Sequence, residues 1–113
     1  MGADAIVVSN HGGRQLDGAV SSIAALPPVV DAVNDRAEVW MDSGIRSGQD
    51  VLRAIALGAQ GTMIGRAFLY GLGAKGQEGV RQALDIIYKE LDLTLGLCGQ
   101  SDLSKVDSSI LIK

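Results

Sequence analysis

The chain has 113 residues, 47% of them apolar, and a formal net charge of −3, so it has enough sequence for one ordinary domain and too little for two. Its apolar content excludes a disordered tail, and its acidic balance argues against a nucleic-acid partner, because a phosphate backbone attracts a basic surface. No apolar run approaches the ~20 residues of a membrane-spanning helix, Met1–Asp4 lacks the basic start of a signal peptide, and the single cysteine favours a reducing, cytoplasmic compartment.

The first predicted element is a strand over Ala5–Ser9. The run Ala5-Ile6-Val7-Val8 is continuous and rich in β-branched residues, which is typical of a fully buried parallel strand. Such a strand needs a neighbour on each side, and this one lies near the start of the chain. We therefore expect the chain to be an incomplete piece of a larger fold.

Two further strands are predicted over Glu38–Met41 and Gly61–Ile64. The segment Ser21–Val33, between the first and second strands, is predicted to form a short turn and then a helix. The reason for this division is Pro27-Pro28, because proline interrupts a helix.

A second helix is predicted over Ser47–Leu57, between the second and third strands. Ser47 and Asp50 resemble a capping box at its start, and Gly58 stands where a helix-ending glycine belongs. A short helix over Ala67–Leu72 follows the third strand.

The remaining chain is predicted to contain one long amphipathic helix over Glu78–Leu97, after a break around Lys75. Ser101–Lys113 is predicted to be a polar tail that ends in apolar residues. The alternation of strands and helices indicates an α/β fold with a parallel sheet, either doubly wound or part of a (β/α) barrel.

Each predicted strand is followed at once by a polar, glycine-containing cluster. The clusters are Ser9–Gly18, Asp42–Gly48 and Gly65-Arg66, and they hold several of the chain's fifteen glycines. Because the carboxyl ends of parallel strands meet at one rim, we expect the clusters to lie together and to carry the working residues.

The second and third clusters contain the parts of a phosphate site. Gly44 lets the backbone approach an anion, and Ser47 begins a helix whose free N–H groups and dipole favour negative charge. Arg46 and Arg66 can add charge-assisted hydrogen bonds. The alternative is a glycine turn with two solvated arginines, but two such motifs at successive strand ends favour a phosphate site.

The first cluster contains the chain's only histidine, His11, with Arg14 three residues later. A proton acceptor beside a cation suits a substrate that loses a proton and carries a carboxylate. The alternative is a solvated histidine in a polar loop. The flanking glycines and the position at a strand end favour catalysis.

These clusters resemble the motifs of one family. Ser9–Asp17 (Ser-Asn-His-Gly-Gly-Arg-Gln-Leu-Asp) closely resembles the signature of the FMN-dependent α-hydroxy-acid dehydrogenases and oxidases, which include flavin-type L-lactate dehydrogenase, glycolate oxidase and mandelate dehydrogenase. Asp42–Val51 is similar to the second motif of that family, and Ala56–Ala59 followed by Ile64–Arg66 is similar to the third.

The resemblance implies that residues 1–113 are the C-terminal portion, about the last three β-α units, of a TIM (β/α)8 barrel with FMN at its carboxyl mouth. It implies that His11 is the base that takes a proton from an L-2-hydroxy acid and that Arg14 pairs with the substrate carboxylate. It implies FMN contacts by Ser9, Asp42, Ser43, Gly44, Arg46, Gly65 and Arg66. Ser43 departs from the commoner glycine but keeps a backbone N–H, and no metal is expected.

The function implied by the resemblance is the FMN-dependent oxidation of a lactate-, glycolate- or mandelate-like L-2-hydroxy acid to the 2-oxo acid by an intact parent enzyme. The family implies that this parent is a homo-oligomer, a tetramer, and a peripheral association with the inner membrane stays open. The 113-residue chain by itself is expected to be inactive, because half of the active-site wall lies outside it.

Two alternatives remain beside this function. One is a non-catalytic half-barrel fragment that binds only FMN or a phosphate. The other is a related FMN barrel with a different substrate, such as isopentenyl-diphosphate isomerase or inosine-monophosphate dehydrogenase. The pair of His11 and Arg14 argues against this second alternative, because the pair suits a hydroxy acid.

Overall fold

The computed structural model describes residues 2–112, so Met1 and Lys113, the last residue of the predicted tail, lie outside the described residues. The sheet consists of β1 (Ala5–Val8), β2 (Glu38–Met41) and β3 (Gly61–Thr62), which are parallel and lie in that order. The α-helices are α1 (Ser22–Val33), α2 (Gly48–Ala56) and α3 (Arg66–Leu97), and 3-10 turns cover His11–Gly13, Leu103–Lys105 and Ser108–Ile110. The predicted alternation of strands and helices is confirmed.

The strand register brings the carboxyl ends of the strands to one rim. Val8 pairs with Met41, and Met41 pairs with Thr62. The Met63 N–H donates to the Met41 carbonyl at 2.9 Å, one residue beyond the end of β3. At Gly61–Thr62, β3 is shorter than its predicted span of Gly61–Ile64. The register places the starts of the three strand-end clusters at the same height of the sheet.

The core lies between the sheet and helices α1 and α2. Its buried apolar residues are Val8, Leu26, Val33, Val39, Met41, Ile45, Ala54 and Ala59. Burial of each larger aliphatic side chain contributes about 1.5–3 kcal/mol before the entropy of ordering is subtracted. The prediction that β1 is fully buried is wrong, because only Val8 is buried, while Ala5, Ile6 and Val7 are exposed, Ile6 and Val7 by 39% and 46%. The reason is that β1 pairs only with β2 among residues 2–112.

Helix α1 is continuous through Pro27 and Pro28, so the prediction of a turn followed by a separate helix is wrong. A proline inside a helix lacks the N–H that bonds the carbonyl four residues back. The helix persists because its apolar residues Leu26 and Val33 are buried, with Leu26 completely inaccessible. Packing against β1 and β2 therefore outweighs the local effect of the prolines.

Helix α2 begins with the predicted capping box. The Ser47 hydroxyl accepts the Asp50 N–H at 3.3 Å, and Asp50 Oδ2 accepts the Ser47 N–H at 3.1 Å. Just after this helix, Gly58 has a left-handed φ of +99°, which confirms its predicted helix-ending role.

Helix α3 contains both predicted C-terminal helices, and they meet at the predicted break, where Lys75 and Gly76 leave the helical conformation. The predicted polar tail contains only two short 3-10 turns within its described part. Among residues 2–112, no helix is both long enough and apolar enough to cross a bilayer.

Candidate active site

The loops that follow the three strands enclose a cavity of about 500 Å³ at the carboxyl rim of the sheet. The predicted site residues that line it are His11, Arg14, Asp42, Ser43, Gly44, Arg46, Gly65 and Arg66. Ser9 is the one predicted site residue outside this lining. The volume is that of an ordinary small-molecule site, for which ~300–1,000 Å³ is typical.

The loop after β1 presents His11 on a short 3-10 turn, with a left-handed φ of +55° that is uncommon for a residue with a side chain. The His11 N–H donates to the Ser9 hydroxyl at 3.1 Å, so the Ser9 side chain stabilises the backbone at His11. Asn10 closes the loop, because its Oδ1 accepts the Gly12 N–H at 3.0 Å and its Nδ2 donates to the Val20 carbonyl at 3.2 Å. The loop is thus held mainly by hydrogen bonds.

The loop after β2 passes through two left-handed residues, Ser43 with φ +68° and Gly44 with φ +102°. The Ser43 hydroxyl donates to Asp42 Oδ1 at 2.6 Å and accepts the Gly12 N–H at 3.0 Å. The serine hydroxyl therefore connects the loop after β2 to the loop that carries His11.

The start of α2 is not free to bind an anion, so this part of the sequence prediction is wrong. The Gly48 N–H donates to Glu90 Oε2 of α3 at 2.9 Å, and the Asp50 N–H is taken by the Ser47 hydroxyl. Asp50 Oδ2 also accepts the Arg46 N–H at 3.1 Å. Two carboxylates thus already occupy the positive end of this helix.

The start of α3 faces the cavity instead. Gly65, Arg66 and Ala67 line the cavity, and Gly65, the residue just before the helix, provides no side-chain cap. The first N–H groups of a helix have no partner within the helix and favour an anion. Arg66 is the first residue of this helix, and its Nη2 donates to the Gly12 carbonyl at 3.4 Å.

The cavity is positively charged although the chain is acidic overall. Arg14, Arg46 and Arg66 line it together with one carboxylate, Asp42. The ion pairs of the described residues involve other cations, so these three guanidinium groups remain available for an anionic ligand. The cavity can therefore attract anions through Arg14, Arg46 and Arg66.

The sequence profile of the family described as FMN-dependent dehydrogenase matches residues 1–113. The chain belongs to this family. The family resemblance predicted from the three strand-end motifs is thus confirmed, and so is the α/β fold of part of a TIM barrel.

Curated relatives of this FMN-dependent dehydrogenase family member include lactate enzymes of both dehydrogenase and oxidase type. An L-lactate dehydrogenase of Caulobacter sp. is 56% identical over 113 residues, which are 100% of this chain and 30% of the relative. An L-lactate oxidase of Nostoc sp. is 54% identical over 110 residues, 97% of this chain and 30% of the relative. The chain thus spans about 30% of the length of the curated relatives it matches.

Solved structures of mandelate oxidase share the fold. The complex of that enzyme with benzoyl-formic acid has a TM-score of 0.87 and 52% sequence identity, and the match covers 90% of this chain and 30% of that chain. A variant that carries a monooxide FMN adduct has a TM-score of 0.86 and 52% identity, over 90% of this chain and 32% of that one. The family's cofactor is therefore present in a structure of closely similar fold.

The residues of the cavity fit FMN. A Cβ atom on Gly44 or Gly65 would meet nothing within 4 Å, so the backbone at both glycines is open to a ligand from the cavity side. The phosphate suits the space beside Arg46, Arg66 and the uncapped start of α3. The Asp42 carboxylate can accept hydrogen bonds from ribityl hydroxyl groups.

Two supporting residues were not identified from the sequence. Asn10 lies inside the first motif and is an amide of the type that often bonds its own turn, which is a usable local signal. Glu90, which caps α2, lies 42 residues after Gly48, and nothing in the local sequence of either residue indicates the contact.

Proposed function

We propose that this chain is the C-terminal portion of an FMN hydroxy-acid dehydrogenase domain and serves the oxidation of an L-2-hydroxy acid to the 2-oxo acid. The observation that supports this most strongly is the shared cavity, in which His11 and Arg14 lie with Arg46 and Arg66. A proton acceptor, a carboxylate-binding cation and a separate phosphate-binding end suit a small acid and a phosphorylated cofactor.

At the phosphate-binding end, Arg46 and Arg66 hold the FMN phosphate by charge-assisted hydrogen bonds. Gly44 and Gly65 let the backbone N–H groups come close, and Asp42 accepts from the ribityl chain. When bound, FMN supplies the redox chemistry, which the side chains of this chain cannot provide. Ser43 contributes its backbone, and Ser9 acts indirectly, through its hydrogen bond to the His11 N–H.

At the substrate-binding end, Arg14 pairs with the carboxylate of the acid and His11 receives a proton from it. Both residues belong to the loop after β1, so a single loop sets the distance between the two contacts. Holding the carboxylate fixes the hydroxyl-bearing carbon relative to the imidazole, which is the orientation that general-base catalysis needs.

Lactate is the first acid to test, because several of the similar proteins carry the name L-lactate dehydrogenase or L-lactate oxidase. The mandelate oxidase structures make an aromatic 2-hydroxy acid the second. We further propose that the active protein is a cytoplasmic homo-oligomer, a tetramer. Two exposed apolar side chains near the start of α3, Tyr70 and Leu72, offer a surface for such contacts.

A chimera tests this function directly. In it, the present chain replaces the matching 30% of the Caulobacter sp. L-lactate dehydrogenase. We expect the chimera to bind FMN and to lose its oxidised-flavin absorbance when L-lactate is added without oxygen. If FMN is bound and neither L-lactate nor L-mandelate reduces it, the proposed function is wrong.

A second candidate is a segment that binds the cofactor without catalysis. It is favoured by one observation, namely that Asp42, Arg46 and Arg66, the residues proposed for the phosphate-binding end, line one cavity of this chain. The two candidates differ in the chimera, where a segment that only binds the cofactor would take up FMN but leave it oxidised in the presence of L-lactate. Under both candidates we expect the 113-residue chain alone to bind FMN weakly and to leave it oxidised. Rapid flavin reduction by the chain alone would contradict that expectation.

A further inference from the structure

The residue Gly12 is the point at which all three strand-end loops meet. Its N–H donates to the Ser43 hydroxyl and to Asn10 Oδ1, both at 3.0 Å. Its carbonyl accepts from Arg66 Nη2 at 3.4 Å. Gly12 immediately follows His11, so these contacts fix the backbone next to the residue that carries the imidazole.

The other hydrogen bonds of this loop are made between residues of the loop itself. His11 is exposed, and Gly12 and Gly13 both have left-handed φ values, near +70°, so the local sequence permits many other conformations. Ser9 and Asn10 belong to the same loop, so their hydrogen bonds to His11 and Gly12 do not attach it to another strand end. The Ser43 hydroxyl comes from a different strand end and anchors Gly12 to the sheet.

The direction of the Ser43 hydroxyl bond is determined by its neighbour. A hydroxyl group has one proton, and Ser43 donates it to Asp42 Oδ1 at 2.6 Å. The lone pairs of the Ser43 oxygen are thereby left to accept the Gly12 N–H, in a chain of hydrogen bonds that strengthen one another. Position 43 holds a serine although its φ of +68° favours glycine.

We propose that Ser43 is a positioning residue, whose side chain fixes Gly12 and so orients His11 for proton transfer. This role is separate from any backbone contact between Ser43 and the cofactor, and it rests on the proposed function of His11 as the base. It implies that the hydroxyl group, rather than the backbone conformation at position 43, governs the rate of the chemical step.

Three substitutions separate the hydroxyl from the backbone conformation. Ser43→Ala removes the hydroxyl and keeps the left-handed strain, whereas Ser43→Gly removes the hydroxyl and relieves the strain. Ser43→Thr keeps the hydroxyl and increases the strain, since it is β-branched. Stability should therefore rank glycine first and threonine last, while the catalytic effect should follow the hydroxyl.

The measurements are the rate of flavin reduction by L-lactate in the chimera and the exchange rate of the Gly12 amide proton in the full chain. We expect Ser43→Ala and Ser43→Gly to slow flavin reduction about tenfold, the effect of one lost hydrogen bond, with the FMN Kd unchanged within about twofold. Ser43→Thr should restore most of the rate. Amide exchange at Gly12 should quicken in the alanine and glycine variants only.

An unchanged rate of flavin reduction in Ser43→Gly would overturn the proposal. It would also be overturned if the reduction rates of the three variants ranked in the same order as their free energies of unfolding. Because Ser43→Gly relieves strain, this comparison does not depend on whether the threonine variant folds. If the unsubstituted chimera binds FMN but is not reduced by any L-2-hydroxy acid tested, the proposed function fails first and the role of Ser43 fails with it. A normal rate in the unsubstituted chimera with unaffected variants overturns only the role of Ser43.

Discussion

Replacing Gly12 with alanine tests how closely the loop after β1 approaches the phosphate-binding end. A Cβ atom at Gly12 would lie 3.1 Å from Arg66 Nη2 and 3.8 Å from Arg66 Cζ, and φ at Gly12 is +69°. Gly13 has almost the same φ, +71°, but a Cβ there would meet nothing within 4 Å. Gly13→Ala is therefore a matched control with the same backbone strain and no contact with Arg66.

The two substitutions share one cost and differ in another. Each places a side chain in the left-handed region, which lowers the free energy of unfolding by about 1–2 kcal/mol. Only Gly12→Ala forces the Arg66 guanidinium to give way by a few tenths of an ångström. A hydrogen bond to a charged group contributes about 1.5–3 kcal/mol, and a displaced guanidinium loses part of it, so we expect FMN affinity to fall about tenfold, or ~1.4 kcal/mol.

The assay is a titration of each chimera variant with FMN, followed by quenching of flavin fluorescence, together with urea unfolding of the same samples. Gly12→Ala and Gly13→Ala should lose similar stability, and only Gly12→Ala should bind FMN more weakly. Equal FMN affinity in the two variants would refute the idea that the Arg66 guanidinium, as positioned against Gly12, binds the phosphate.

Three further predictions concern other parts of the molecule. Arg14→Met in the chimera should raise the KM for L-lactate about tenfold or more, because a charge-assisted hydrogen bond to the substrate carboxylate is lost. The control Arg53→Met should leave the KM unchanged, and equal KM values in the two variants would contradict the role of Arg14. Glu90→Ala should lower the free energy of unfolding by about 1 kcal/mol in urea titrations, since the Gly48 N–H loses its acceptor, and no change would argue against that cap. Hydrogen bonds from the Ser104 hydroxyl and N–H lower the pKa of Asp102 below its ordinary 3.8. The turn that Asp102 caps should therefore be stable above pH 3.8 and loosen as the pH falls through the lowered pKa. The measurement is the exchange rate of the Ser104 amide, which should rise at low pH; an unchanged rate would contradict the prediction.

The strands and the place of the site could be predicted because their signals are local. The β-branched run of β1 and the polar clusters after each strand follow directly from short stretches of sequence. Parallel strands bring such clusters to one rim, so the cavity lined by His11, Gly44 and Arg66 follows from topology alone. The capping box of Ser47 and Asp50 is equally local.

The features that could not be predicted depend on contacts between distant residues. Pro27 and Pro28 predict a break in the helix, but burial of Leu26 against the sheet maintains it. Such packing cannot be predicted from the neighbouring residues in the sequence. The start of α2 has the sequence of an anion site, yet Glu90 of α3 occupies it. The helix start that lines the cavity is that of α3 instead.

The exposure of β1 has the same kind of cause. The run of Ile6 and Val7 predicts burial on both sides, and burial in a parallel sheet comes from neighbouring strands. Among the described residues only β2 supplies such a neighbour, so these side chains remain partly accessible. The apolar residues of a strand thus predict that it suits a buried position in a sheet. They do not predict how exposed the strand is when a neighbouring strand is absent from the described residues.

The central claim is that one cavity combines a cofactor-binding end with a separate base, His11. The most direct measurement is the binding and reduction of FMN in the chimera that carries His11→Gln, with L-lactate added in the absence of oxygen. We predict that FMN binds with unchanged affinity and that the flavin stays oxidised. Loss of FMN binding, or flavin reduction at the unsubstituted rate, would contradict the account, because His11 would then be a structural residue or would take no part in the reaction.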